Sequence, residues 1–335
     1  MRIKRWIRAA RKLATTARSA TLVLPRRAEE NAKHLVCDIG TADHYVVWEE
    51  PNRADTKPLH IAASGTRYPT ITGVSWLHDR YVIAAHRSGL RVGVFDTHDF
   101  AAPVWTGSLD HMVDDIAAKR TSPTTFELAV SGCWENIHSR YELRLHAGDD
   151  VSFEMTHLQT QENPTRDFAH GVAYDRNGEL WSALHTGQDP RVITGKKTYR
   201  MPAPWGVRDC CDDPVRQRTL AIAVSANPKA EAYDGVATTI WAQSYGSSRW
   251  DCIGRYDNIH ADCLDVTASH IWIPDQLNDR MIAIDATTSE IERIYRGSCF
   301  AFPHGLHVSS DNKLAISNYG SSSVAVLDLN RLLSS

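Results

Sequence analysis

Residues 303–328, PHGLHVSSDNKLAISNYGSSSVAVLD, decide the fold. They hold a histidine, a short apolar strand, a turn, a second strand, a second turn, and a third strand closing on Asp328. The same order returns elsewhere in the chain. ITGVSWLHDRYVIAAHRSGLRVGVFD (71–96), FAHGVAYDRNGELWSALHTGQDPRVI (168–193) and ADCLDVTASHIWIPDQLNDRMIAID (261–285) follow it closely. VDDIAAKRTSPTTFELAVSG (113–132) and PWGVRDCCDDPVRQRTLAIAVSA (204–226) follow it more loosely.

A fourth strand-like piece trails most copies, as in PVWTGS, VSFEMTHL, KTYRMP, WDCIGRYD and IERIYRG. Each unit therefore reads as four antiparallel strands. The opening residues are Thr72, Asp114, His170, Trp205, Asp262 and His304, at intervals of 42, 56, 35, 57 and 42 residues. Four strands repeating near every forty residues predict an all-β propeller of six blades. The last unit has three strands, so a strand from the N-terminal side must close the ring and cover two sheet edges. PLHIAAS (58–64) is the expected closing strand. HLVCDIGTADHYVVWEE (34–50) either thickens the closing blade or forms an irregular seventh.

The units resemble those of NHL-type six-bladed propellers. SNYGSSSVAVLD and PDQLNDRMIAID match the second half of that repeat. FPHGLHV and FAHGVAY are similar to the Pro-His-Gly openings of two propeller enzymes, the peptidyl-α-hydroxyglycine α-amidating lyase and the streptogramin lyase. In the amidating lyase such histidines bind zinc. The resemblance implies that role for His170 and His304. The lyase uses a third histidine, whereas the other openings here carry Thr72, Asp114, Trp205 and Asp262.

In a propeller the first strand of each blade lines the central channel, so the six opening residues should ring its mouth. His170 and His304 lie three blades apart and should face each other, as should Asp114 and Asp262. Imidazoles with carboxylates suit a divalent cation such as Zn²⁺, Mn²⁺ or Fe²⁺. The expected ligands are His170, His304 and Asp262, with Asp114 beside them. A second ring, His86, His185, Asp275 and Asn318, lies at the ends of the second strands, and His260 and His111 lie just upstream of two opening residues. His185 or Asp275 would be the general base. Arg208, with Arg87, would hold an anionic group, and Trp205, His86, Asn318 and His260 would line the substrate site. These residues predict a lyase or hydrolase acting on a small polar or anionic molecule. The competing function is a non-catalytic binding or scaffold propeller tethered to a membrane surface or partner by a basic N-terminal arm. For the ring itself, the other readings are a polar ligand site without metal and histidines that cap strand edges or pack in the channel. There is no GxSxG, HExxH or Gly-rich phosphate loop.

Charge divides the chain unevenly. Before Glu29 there are nine Lys or Arg and no acid, while the remainder carries 28 basic against 40 acidic groups, a balance of −12. Ile3, Trp6, Ile7, Ala10 and Leu13 fall on one stripe at helical spacing. Residues 1–33 thus read as a basic amphipathic arm and 34–335 as the propeller domain. The arm suits an anionic membrane surface or a protein partner. A mobile tail and a transit segment are the other readings. Nucleic acid is disfavoured, because an acidic body repels phosphates. No stretch of eighteen apolar residues exists, and seven cysteines without CxxC pairing read mainly as core residues in a reducing, cytoplasmic setting. The adjacent pair Cys210-Cys211 is also open to a redox or soft-metal reading.

Overall fold

Strands such as YVIAA (81–85) are apolar at every position and buried at every position. Such strands need cover on both faces, which a radial stack of sheets provides. The computed structural model describes residues 35–51, 59–61, 65–67, 70–132, 135–146, 151–163, 168–185, 191–194, 197–203, 206–225 and 236–334. The basic arm and Trp205 lie outside the described residues.

Six blades succeed one another along the chain. Blade 1 comprises Ile71–His78, Tyr81–His86, Arg91–Asp96 and Trp105–Ser108. Blade 2 comprises Val113–Ser122, Thr125–Gly132, Ile137–His146 and Ser152–Glu162. Blade 3 comprises Phe168–Tyr174, Leu180–His185, Arg191–Thr194 and Lys197–Arg200. Blade 4 comprises Val207–Asp213, Arg218–Ser225, Ala237–Ser244 and Asp251–Asp257. Blade 5 comprises Asp265–Val266, His270–Asp275, Arg280–Asp285 and Ile291–Arg296. Blade 6 comprises Pro303–Val308, Lys313–Asn318, Ser323–Asp328 and, from the other end of the chain, His44–Val47. Within each blade neighbouring strands run antiparallel.

The closing strand differs from the expected one. His44–Val47 pairs antiparallel with Ser323–Val326. Leu59–Ile61, from the stretch expected to close the ring, instead pairs with Gly65–Arg67, a partner only a few residues away. The strand at 44–47 is favoured by its C-terminal neighbour, Trp48. That indole is buried between blades 6 and 1, edge-on to Phe95 with ring centroids 5.6 Å apart. Its backbone is held at both polar groups, by Trp48 N–H to Ser322 O and by Ser322 Oγ to Trp48 O. Leu35–Asp38 thickens blade 5 as a fifth, parallel strand on Ile291–Arg296, so no seventh blade is needed.

Between adjacent blades the facing side chains form separate cores. The one between blades 1 and 2 holds Ile83, Val94, Phe126 and Leu143; the one between blades 4 and 5 holds Leu220, Ile222, Ile271 and Ile282. The core between blades 2 and 3 is small, built on Ala117, Ala129 and Val172. A polar knot supplements it there: the Tyr174 hydroxyl donates to Glu127 Oε1 at 2.8 Å, and Arg140 pairs with the same carboxylate.

Around the channel, first-strand side chains clip one blade to the next. Asp115 accepts from Val172 N at 3.0 Å, Asp209 from Leu264 N at 3.1 Å and Asp265 from Val308 N at 2.7 Å. His307 accepts from Trp76 N at 3.1 Å, and Ser75 Oγ accepts from Ala118 N at 3.1 Å. Between blades 3 and 4 the strands approach too closely for a side chain. A Cβ on Gly171 would sit 2.6 Å from both Arg208 O and Asp209 Cα. Gly171→Ala is therefore expected to destabilise the protein by about 1–3 kcal/mol, since backbone must move to make room. Urea unfolding of the two proteins measures it, and an unchanged midpoint would contradict this packing.

Candidate metal centre at the channel mouth

Where the first strand begins in blades 1, 2, 3, 4 and 6, the ladder to the second strand is interrupted; in blade 5 Asp262 precedes a regular first strand, Asp265–Val266. Register shifts skip Thr72 and Gly73 in blade 1, His170 and Gly171 in blade 3, and His304 and Gly305 in blade 6. They also skip Asp114 in blade 2 and Arg208 in blade 4. A bulge re-aims the side chain that it carries. Here the re-aimed side chains are those predicted to ring the mouth, with one correction. The opening residue of blade 4 is Arg208, not Trp205. PWGV imitates the Pro-His-Gly opening three residues early, but it is VRDC (207–210) whose interrupted ladder matches that of VDDI (113–116) in blade 2. Asp115 and Asp209 then make the same clip to the following blade.

His170 and His304, from opposite blades, meet across the axis with ring centroids 5.7 Å apart and planes inclined by 20°. Asp262 from blade 5 joins them. One ligand atom from each of the three residues lies within 4.8 Å of the others, and all three residues are buried. His304 is placed by its surroundings. Its Nδ1 is 3.1 Å from Thr72 O, which can only accept, so Nδ1 carries the proton and Nε2 presents its lone pair. That Nε2 is 3.8 Å from Asp262 Oδ2. Tyr319 stacks on the other face of the ring at 5.6 Å. Gln276 Nε2 donates to Asp262 Oδ2 at 3.1 Å. Neither Tyr319 nor Gln276 was identifiable from the repeat, because both sit one residue beyond the second-strand positions that were aligned.

Charge at the mouth balances. Arg208 Nε is 3.2 Å from Asp262 Oδ1, and Arg87 Nη1 is 3.3 Å from Asp114 Oδ1. Burial pushes Asp262 up, but Arg208 and the surrounding imidazoles outweigh it and hold the carboxyl well below its usual range. Burial lowers His170, lowers His304 to about 4, and lowers His260; burial and then Arg208 push His185 well below the ordinary imidazole value. The imidazoles are thus neutral at neutral pH, the form that ligates a metal.

The donors also fit a cation by what they lack. Asp262 Oδ1 is buried and makes no well-formed hydrogen bond among the described residues, only the charged approaches of Arg208 and His260. The backbone of Arg208 lies against the His170 ring. Two imidazoles and one carboxylate form a donor set used by Zn²⁺, Mn²⁺ and Fe²⁺. Asp114 lies near both histidines electrostatically but outside the ligand triad, paired with Arg87.

The second ring divides. His185 reaches the centre: its ring is 6.0 Å from that of His170, and its buried Nδ1 has no well-formed partner among the described residues. His260 Nε2 lies 3.6 Å from Asp262 Oδ1. Asp275, Asn318 and His86 are fully buried and engaged elsewhere. Asp275 binds Arg280 Nε and Asn278 Nδ2, each at 2.7 Å, and accepts from His260 N at 3.3 Å. It positions His260 and is not available as a base. Asn318 braces the loop before blade 6 through Ala301 N and Cys299 O. His86 accepts from Gly89 N at 3.0 Å and lies edge-on to Trp48. His111 is bound to Ser139 Oγ at 2.7 Å within blade 2. Cys210 and Cys211 are buried free thiols pushed well up by burial, in keeping with a core role.

His86 offers a pH test away from the triad. Burial lowers it from 6.5 to about 4. Between those values the unfolded chain takes a proton at this position and the folded chain does not. The neutral, buried His86 thus contributes stability that is complete above pH 6.5 and lost as pH falls towards 4, by about 3 kcal/mol in all. The stability gap between the wild type and His86→Gln is expected to narrow over that window. A gap constant from pH 7.5 to 4.5 in urea titrations would contradict the burial of a neutral ring.

No family model matches the chain, and no curated protein matches it in sequence. Solved propellers resemble it in fold. The Cps50 (Swd1) β-propeller domain of Myceliophteria thermophila has a TM-score of 0.49 at 10% identity, covering 86% of this chain and 97% of that one. The PQQ-bound aldose sugar dehydrogenase of Streptomyces coelicolor has 0.49 at 12%, covering 83% and 100%. A chain of a nidogen/laminin complex has 0.47 at 11%, covering 74% and 92%. Similarity at this level carries no functional argument; the propeller is established by the six sheets themselves. Among the described residues no helix is long and apolar enough to cross a membrane.

Proposed function

We propose that the protein is a divalent-metal enzyme of the lyase or hydrolase class, acting on a small polar or anionic molecule at the channel mouth. The observation that carries this reading is the meeting of His170, His304 and Asp262 from three separate blades, with one ligand atom of each within 4.8 Å of the others. The Pro-His-Gly opening of blade 6 and the Ala-His-Gly opening of blade 3 support it through their resemblance to NHL-like lyases. His170, His304 and Asp262 would hold the ion, with Asp114 adding negative charge nearby.

The ion would supply Lewis acidity towards a substrate oxygen or a bound water. His185 would be the general base: its ring lies beside His170, and among the described residues its Nδ1 has no well-formed partner, but burial and Arg208 lower its pKa and so weaken it as a base. Arg208 is the cation best placed for an anionic group on the substrate, since its side chain keeps 18% exposure at the mouth. His260 flanks Asp262 and would line the site.

Elemental analysis of the purified full-length protein tests this reading. One equivalent of zinc, manganese or iron per chain is expected. Protein that stays metal-free after exposure to each ion would overturn it and favour a binding propeller, held at an anionic membrane or a protein partner by its basic arm.

A further inference from the structure

We propose that Arg208 is a resident counter-ion for Asp262 that gives way to the metal and then binds a small oxyanion, so that metal and anion bind the mouth cooperatively. This rests on the metal reading above. Asp262 is buried, and its two oxygens are treated differently. Oδ2 takes a directed hydrogen bond from Gln276. Oδ1 is 3.2 Å from Arg208 Nε, yet the contact does not meet hydrogen-bond geometry, and neither atom has a well-formed hydrogen bond among the described residues. The pair is held by charge more than by a directed bond, and such a contact is readily exchanged.

Charge fixes what the exchange must produce. Without metal, Asp114 and Asp262 balance Arg87 and Arg208, and the imidazoles between them are neutral. A divalent ion on His170, His304 and Asp262 takes up the carboxylate charge and leaves the mouth with two surplus positive charges. A half-buried guanidinium whose counter-charge has been taken by a metal favours a new anion beside it. Arg208 retains access to the mouth, whereas Arg87 remains beside Asp114. The guanidinium fork matches a carboxylate or another small oxyanion. Linkage then requires that each ligand tighten the other by the same factor.

Zinc affinity of the full-length protein, measured by competition with a chromophoric chelator, tests this. Titrations are run with and without excess acetate, correcting free zinc for its own acetate complex. In the wild type, acetate should tighten zinc binding by about fivefold or more. Arg208→Met should bind zinc about tenfold more tightly than the wild type without acetate, because a competing cation is gone, and should not respond to acetate. Arg208→Lys keeps the charge and should retain part of the response, which guards against a folding defect in the methionine variant. A wild type indifferent to acetate would overturn the inference. So would a full acetate response in Arg208→Met, which would make acetate a zinc ligand only, or weaker zinc binding by folded Arg208→Met. Absence of zinc binding in every protein would instead remove the metal reading itself.

Discussion

Replacing His304 with alanine should lower zinc affinity by more than about a hundredfold while the propeller stays folded. Loss of a residue that merely orients a metal ligand already costs about 10–100-fold, and His304 would be a ligand itself. The fold should tolerate the change because the ring's partner does not depend on it alone. Thr72 O, to which His304 Nδ1 donates, also accepts from Ser317 Oγ at 2.6 Å. His170→Ala should behave alike, since its ring contributes the opposing donor. Chelator competition on both variants, with circular dichroism as the control for folding, gives the result. Unchanged zinc affinity in either folded variant would remove that histidine from the centre.

Trp48→Ala should cost about 3–5 kcal/mol of stability, the range for emptying a large buried aromatic site. The indole is 5% exposed and fills the seam between blade 6 and blade 1. It presses on the backbone at Gly93, where a Cβ would lie 3.0 Å from the ring, and donates through Nε1 to Glu50 at 3.1 Å. It also directly succeeds the strand that closes the ring. Its removal leaves a cavity and loosens His44–Val47 from Ser323–Val326. A shift in the urea midpoint equivalent to less than about 1 kcal/mol would show that closure is made elsewhere.

The radial architecture was legible because blade after blade repeats one hydrophobic pattern, and the pairing of opposite blades came from counting units. His170, His304 and Asp262 could be placed for that reason: each stands at the same point of its unit, His170 and His304 early in the first strand and Asp262 just ahead of it. Blade 4 misled, since PWGV resembles the histidine openings while the true equivalent begins at Val207. The signal was present in VRDC and VDDI, an apolar residue, an opening residue, an aspartate and an apolar residue. The closing strand was not legible from pattern alone. HYVV and PLHIAAS are both short, mostly apolar and strand-like, and the choice depended on where Trp48 finds its pocket. Asp275 looked like a free carboxylate because its partner, Arg280, stands on the neighbouring strand of the same hairpin, five residues on. A carboxylate neutralised by its own hairpin becomes visible only when the register is known.

The central claim is that three blades contribute one ligand each to a single ion. Anomalous diffraction at the zinc edge, from crystals of the full-length protein grown with zinc, tests it most directly. One peak is expected within about 2.0–2.2 Å of a nitrogen of His170, a nitrogen of His304 and an oxygen of Asp262 together. A zinc peak held by other residues, with these three side chains unmoved and unligated, would contradict it.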